Sequence, residues 1–133
     1  MFKKIVIISI VLAVIGVAAL PLLTSKVAEN AFDNPLDPES PVKVREAMLM
    51  RIRLQRYKQA RQLAEKAVIY FPESREMPYF IYNAAKCAEQ EREPKVAIFW
   101  YRKFVKQYPK HTWTTQAKNS LNKLEGIYGD FEK

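Results

Sequence analysis

Residues 58–72, KQARQLAEKAVIYFP, lie in register over residues 95–109, KVAIFWYRKFVKQYP, at a spacing of 37. Identities fall at Lys58/Lys95, Ala60/Ala97, Lys66/Lys103, Val68/Val105 and Pro72/Pro109. Apolar character also matches at Leu63/Trp100, Ala64/Tyr101, Ala67/Phe104 and Phe71/Tyr108. A unit of this length is one helical hairpin, too small to bury its apolar face alone, so it must stack on a neighbour. The repeat therefore constrains the fold more than any other feature of the chain.

The rest of the composition agrees with helices. Glycine is scarce, with 3 residues in 133, and no alternating run rich in Val, Ile and Thr competes as a strand. The fold class expected is all-α. Cys87 is the only cysteine, which excludes an intrachain disulfide and a cysteine-based zinc site. Set beside Ala84, Ala85 and Ala88 on a helix, it reads as a small packed side chain, with a reactive or intermolecular thiol as the alternative.

Phe2-Lys3-Lys4 precedes an uncharged run from Ile5 to Leu23 in which Ser9 is the one polar residue. Such a helix rises about 28 Å, close to the hydrocarbon thickness of a bilayer. The two lysines favour the cytoplasmic side, which sends the chain after Leu23 across the membrane. A cleaved signal peptide is the alternative, with Ile5–Gly16 as its apolar region and Val17-Ala18-Ala19 as its cleavage site. Leu20-Pro21-Leu22-Leu23 prolongs the run past that site and favours an anchor at residues 5–23. No cysteine ends the run, so lipid attachment at a signal-peptide cysteine is excluded.

Pro35, Pro38 and Pro41 suggest that residues 24–40 form an extended tether. Ser40 then reads as an N-cap, with Pro41 opening the first helix to about Gln55. Further helices are expected at about 57–71, 75–90, from Pro94 to about 108, and 112–125. The third starts either at a Ser74 cap or with Pro78 in the first helical position, and Gly126 is expected to stop the last. Ala47, Ala60, Ala64, Ala67, Ala84, Ala85 and Ala97 fall where paired helices approach closely, with Trp100 and Phe104 filling the space between pairs. The expected divisions are an anchor at 1–23, a linker at 24–40, a helical domain at 41–125 and a tail at 126–133.

Tyr57, Ala60, Ala67 and Pro72, then Ala84, Ala85, Ala97, Tyr101 and Pro109, resemble the tetratricopeptide repeat (TPR) pattern over about residues 41–125. The turns Tyr70-Phe71-Pro72-Glu73-Ser74 and Gln107-Tyr108-Pro109-Lys110-His111 are similar in style to bacterial envelope TPR domains of the outer-membrane assembly lipoprotein and Tol–Pal coordinator type. The chain departs from the pattern at Arg51 and Ala88, where an aromatic is common, and at Phe104, where alanine is usual. The resemblance implies a short α-solenoid of two helical hairpins and a capping helix. It further implies a non-catalytic module that binds a protein or peptide, anchored in the bacterial inner membrane with its repeat domain periplasmic, or secreted to the periplasm if the segment is cleaved. A structural accessory subunit, with its span packed inside a membrane complex, is the second reading.

In such repeats the first helix of each hairpin lines a groove, here Arg45, Leu49, Ile52 and Arg53, then Tyr79, Tyr82, Asn83 and Lys86. Two tyrosines among cations suit an extended peptide with acidic and apolar residues. Arg45 and Asn83 match part of the carboxylate clamp of chaperone-binding members, but Leu49 stands where that clamp has asparagine. The formal charge is +8, and residues 95–123 hold seven cations and no acid. Anionic lipid, cell-wall polymer or an acidic partner fits that balance. No nucleic-acid motif accompanies the charge, and nucleic acid is not expected. With one histidine, His111, and no glycine-rich phosphate loop, neither catalysis nor a cofactor is expected. Glu89, Glu91 and Glu93 read as a solvated helix end.

Overall fold

The apolar N-terminal helix does not end where the polar residues begin. The structure is a computed structural model that describes residues 1–129, and every side chain among them except those of residues 20–22 and 24. In it α1 runs from Phe2 to Asp33 without a break. Residues 25–33, SKVAENAFD, contain neither glycine nor proline, so nothing in them opposes a helix. The extended tether expected at 24–40 is therefore confined to a short turn between Asp33 and Ser40. Its prolines restrict only what precedes them, and the first stands at Pro35.

Five further helices follow: α2 (Ser40–Arg53), α3 (Tyr57–Tyr70), α4 (Met77–Gln90), α5 (Pro94–Gln107) and α6 (Thr114–Tyr128). Among the described residues the only regular elements are helical. Each helix packs on the next in sequence, and α1 also touches α3 while α2 touches α4. The odd helices thus form one layer and the even helices another. Within α1, Phe2–Ala19 is long and apolar enough to cross a membrane. The side chains at 20–22, part of the span expected at 5–23, lie outside the described residues.

The 37-residue period extends to three helix ends. Asn34, Phe71 and Tyr108 end α1, α3 and α5 with φ/ψ of −125°/64°, −126°/58° and −127°/65°. Each precedes a proline, Pro35, Pro72 or Pro109, whose ring drives the residue before it out of the helical region. The turns that follow are alike: an Asp37 carboxylate oxygen, the Ser74 hydroxyl and the His111 Nδ1 each accept the N–H two residues on. The Ser40 hydroxyl donates to the Asn34 carbonyl at 2.6 Å, and Thr114 bonds the Tyr108 carbonyl in the same way. Ser40 is consequently the first helical residue rather than the cap, and Glu39 precedes it.

The α2–α3 and α4–α5 turns repeat as well. Gln55 and Arg92 adopt left-handed backbone, with φ of 58° and 60°. The Gln55 and Arg56 N–H groups bond the Ile52 and Arg51 carbonyls, and Arg92 and Glu93 bond Glu89 and Ala88 in the same pattern, a double closure of each helix end.

The core lies between the layers. Ala60, Ala64, Ala67, Ala84, Ala85, Ala88 and Ala97 are fully buried, as are Met48, Phe80, Ile81 and Phe104. Small residues let the backbones approach and large ones fill the gaps, as interior packing density requires. The odd layer begins with α1, whose Ala28, Ala31 and Phe32 are buried in the same core. Neither expected opening of α4 holds: Glu76 stands at its N-cap, Met77 is its first residue and Pro78 its second, one place later than expected. Gly126 does not stop α6, which runs to Tyr128; Gly129 follows in right-handed backbone, and residues 130–133 of the expected tail lie outside the described residues.

Candidate functional site

The face formed by α2, α4 and the start of α6 holds the residues expected to line a groove. Arg45 on α2 donates to a Glu76 carboxylate oxygen at 2.6 Å and lies 5.1 Å above the Tyr79 ring. Tyr79 meets Trp113 edge-on, with centroids 4.9 Å apart and planes at 86°. The Asn83 side-chain amide donates to the Tyr79 carbonyl at 2.8 Å. Leu49 and Ile52 are partly buried against the core, and Arg53 and Lys86 are exposed.

Tyr82 is not an exposed groove residue. It is 8% exposed, packed between Trp113, Phe104 and Tyr101, and its hydroxyl donates to the Gln116 side-chain oxygen at 3.2 Å. Burial, aided by the Glu89 charge, raises its pKa. Its covering groups come from α5 (Tyr101 and Phe104), from Trp113 just before α6 and from Gln116 in it, so the period of α4 alone gives no sign of it. The tyrosines and cations expected to face an acidic and apolar peptide are paired with one another within the chain, Arg45 over Tyr79 and Lys86 over Tyr82. Arg53 stays exposed on this face, as does Lys86 despite its contact with the Tyr82 ring, beside the half-covered apolar surface of Leu49 and Ile52.

Glu89 and Glu91 are not a solvated helix end. Glu89 accepts the Tyr101 hydroxyl, and burial together with that bond holds the phenol far above its ordinary range. Glu91 takes two hydrogen bonds from Arg61, which also donates to Glu65 at 2.7 Å, so the guanidinium is held more firmly protonated. These contacts tie the end of α4 to α5 and to α3.

Cys87 is buried, and its thiol is pushed up to about 12, first by burial and then by Glu91. A thiol so placed supplies almost no thiolate at neutral pH. Among the described residues no three of His, Cys, Asp and Glu converge to hold a metal ion. His111 is occupied structurally, between the Phe104, Tyr108 and Trp113 rings.

Two surfaces escaped sequence reasoning. One is a cleft of about 780 Å³ between the α1–α2 and α3–α4 turns, lined by Pro35, Leu36, Pro41, Tyr70, Pro72 and Arg75. The spacing of Pro35 from Pro72, equal to that of Pro72 from Pro109, is the signal that would have found it. The other is a groove of about 610 Å³ where Leu54 and Arg56 face α1. Comparison of the chain with protein-family models, with curated proteins and with solved structures yields no match.

Proposed function

We propose that this chain is a membrane-anchored, TPR-like interaction module. In this reading Phe2–Ala19 spans the membrane, Lys3 and Lys4 stay cytoplasmic, and the helical stack stands on the opposite, periplasmic side. The observation that carries it is the 37-residue recurrence of helix ends at Asn34, Phe71 and Tyr108 and of left-handed turns at Gln55 and Arg92. Repeat stacks of this kind act through the surfaces their layers expose, not through a reacting group. The open cations Arg53 and Lys86, flanking Leu49 and Ile52, suit an extended partner that is acidic and apolar. A photo-crosslinker placed at Arg53 or Lys86 in intact membranes should capture that partner, and Lys86→Glu should weaken capture.

The accessory-subunit reading draws on one further observation. Leu23 and Val27 of α1 match in register the buried Ala60 and Ala64 of α3, yet are 60% and 45% exposed. A second helix of a membrane complex would cover them. Crosslinks formed only from positions such as Val11 and Val27, with none from Arg53 or Lys86, would favour this reading over the first.

A further inference from the structure

The α2–α3 turn stands beside the apolar part of α1. Ile10, Val14, Val17 and Ala18 of α1, with Leu54 and Arg56 of the turn, border one groove of about 610 Å³. From Ile10 to Ala18 the helix rises about 12 Å, so the groove follows the upper part of the span. Its walls are aliphatic, and a cation stands among them.

Among the described residues no ion pair engages that cation, Arg56, or its neighbours Arg53 and Lys58, and all three are exposed. Glu91, which borders the same turn, is taken up by Arg61. Arg51, on the preceding turn of α2, is destabilised as a cation by burial and by Arg56, and its buried Nε lacks a hydrogen-bond partner. An arginine held beside a hydrocarbon-facing helix reaches for the phosphate level of the bilayer, where its charge is matched.

We propose that this groove seats one anionic phospholipid, its acyl chain along Ile10–Ala18 and Leu54 and its phosphate at Arg56, with Arg53 and Lys58 adding attraction. The inference rests on the reading of α1 as a membrane span. The lipid then fixes the height of the helical stack above the bilayer, since its headgroup is gripped by the stack and its tail by the span.

Native mass spectrometry of the full chain, released from detergent with phosphatidylglycerol or phosphatidylcholine, tests it. The chain should retain one phosphatidylglycerol with a preference of about five-fold or more over phosphatidylcholine. Arg56→Gln should abolish the preference, whereas Lys3→Gln with Lys4→Gln, at the other end of the span, should preserve it. Ala13→Trp, which fills the groove and leaves the charges alone, should expel the lipid too; circular dichroism confirms that each variant folds. Equal retention of both lipids, or a preference lost with the Lys3 and Lys4 changes and not with Arg56, overturns the site. Alkaline carbonate extraction is the parallel arm. A chain that carbonate releases from membranes overturns the span and the lipid site together, and an integrated chain without the preference overturns the lipid site alone.

Discussion

Phe32, in the last turn of α1, stacks on Phe71, the residue that ends α3, with centroids 5.5 Å apart and planes within 10°. Tyr70 meets the same ring edge-on, and the Lys66 ammonium lies 4.4 Å from its centroid. A side chain from the helix that carries the apolar segment is thus part of the repeat core. The junction between them is packed.

Phe32→Ala removes a ring that is 5% exposed and leaves a cavity beside Phe71. The expected loss is about 3 kcal/mol, read as a lower urea midpoint of the full chain in detergent. A free tether at Thr24–Asp33 predicts no change.

Gln55 and Arg92 hold left-handed backbone that costs a residue with a Cβ roughly 1 kcal/mol. Gln55→Gly and Arg92→Gly should therefore leave stability unchanged or raise it by up to about 1 kcal/mol. Arg92→Val should lower it, because a branched Cβ suits that conformation least. Thermal melts of the three variants give the order directly.

Tyr101 is 1% exposed and keeps its proton well above the ordinary phenol value of 10.0. The folded chain holds this proton more tightly than the unfolded chain does. Its contribution is whole below about pH 10 and falls away as the pH rises beyond it. Urea midpoints followed from about pH 8 to about pH 11 should decline at the alkaline end. Tyr101→Phe should flatten that decline, while costing about 1 kcal/mol near neutrality through the lost Glu89 bond. An equally steep decline in Tyr101→Phe would assign it to other groups.

Tyr82→Ala should destabilise the fold by about 3 kcal/mol, since it empties the space between Trp113, Phe104 and Tyr101. Tyr82→Phe gives up only the Gln116 hydrogen bond, worth about 1 kcal/mol. Comparing the two by denaturation separates packing from hydrogen bonding. If both cost the same, the ring is not the main contribution.

The helices α2 to α5 were legible because their alanines and aromatics recur at helical spacing on faces packed by neighbours on both sides, and α6 because Ala117, Leu121 and Leu124 keep that spacing on its one covered face. The second half of α1 was not, for a physical reason. Covered from one side only, it buries Ala28, Ala31 and Phe32, and leaves Leu23 and Val27 exposed, so its periodic signal is weak. The prolines at 35, 38 and 41 then drew the tether too far back, although a proline acts mainly on the residue before it. Tyr79 and Tyr82 were visible as groove candidates. Only the fold brings Trp113 and Gln116 over them, and that converts one of the two from surface to core.

The apolar segment continues unbroken into the turns of α1 that pack in the repeat core at Ala28, Ala31 and Phe32, so span and stack should hold a fixed separation. Spin labels at Val11→Cys and Lys118→Cys in the full chain, reconstituted in lipid nanodiscs, measure it most directly by electron–electron distance, and the buried Cys87 stays unlabelled. A single narrow distance distribution, broadened by Phe32→Ala, is the predicted result. A broad distribution in the unaltered pair, of the kind a flexible tether between span and stack produces, would contradict it.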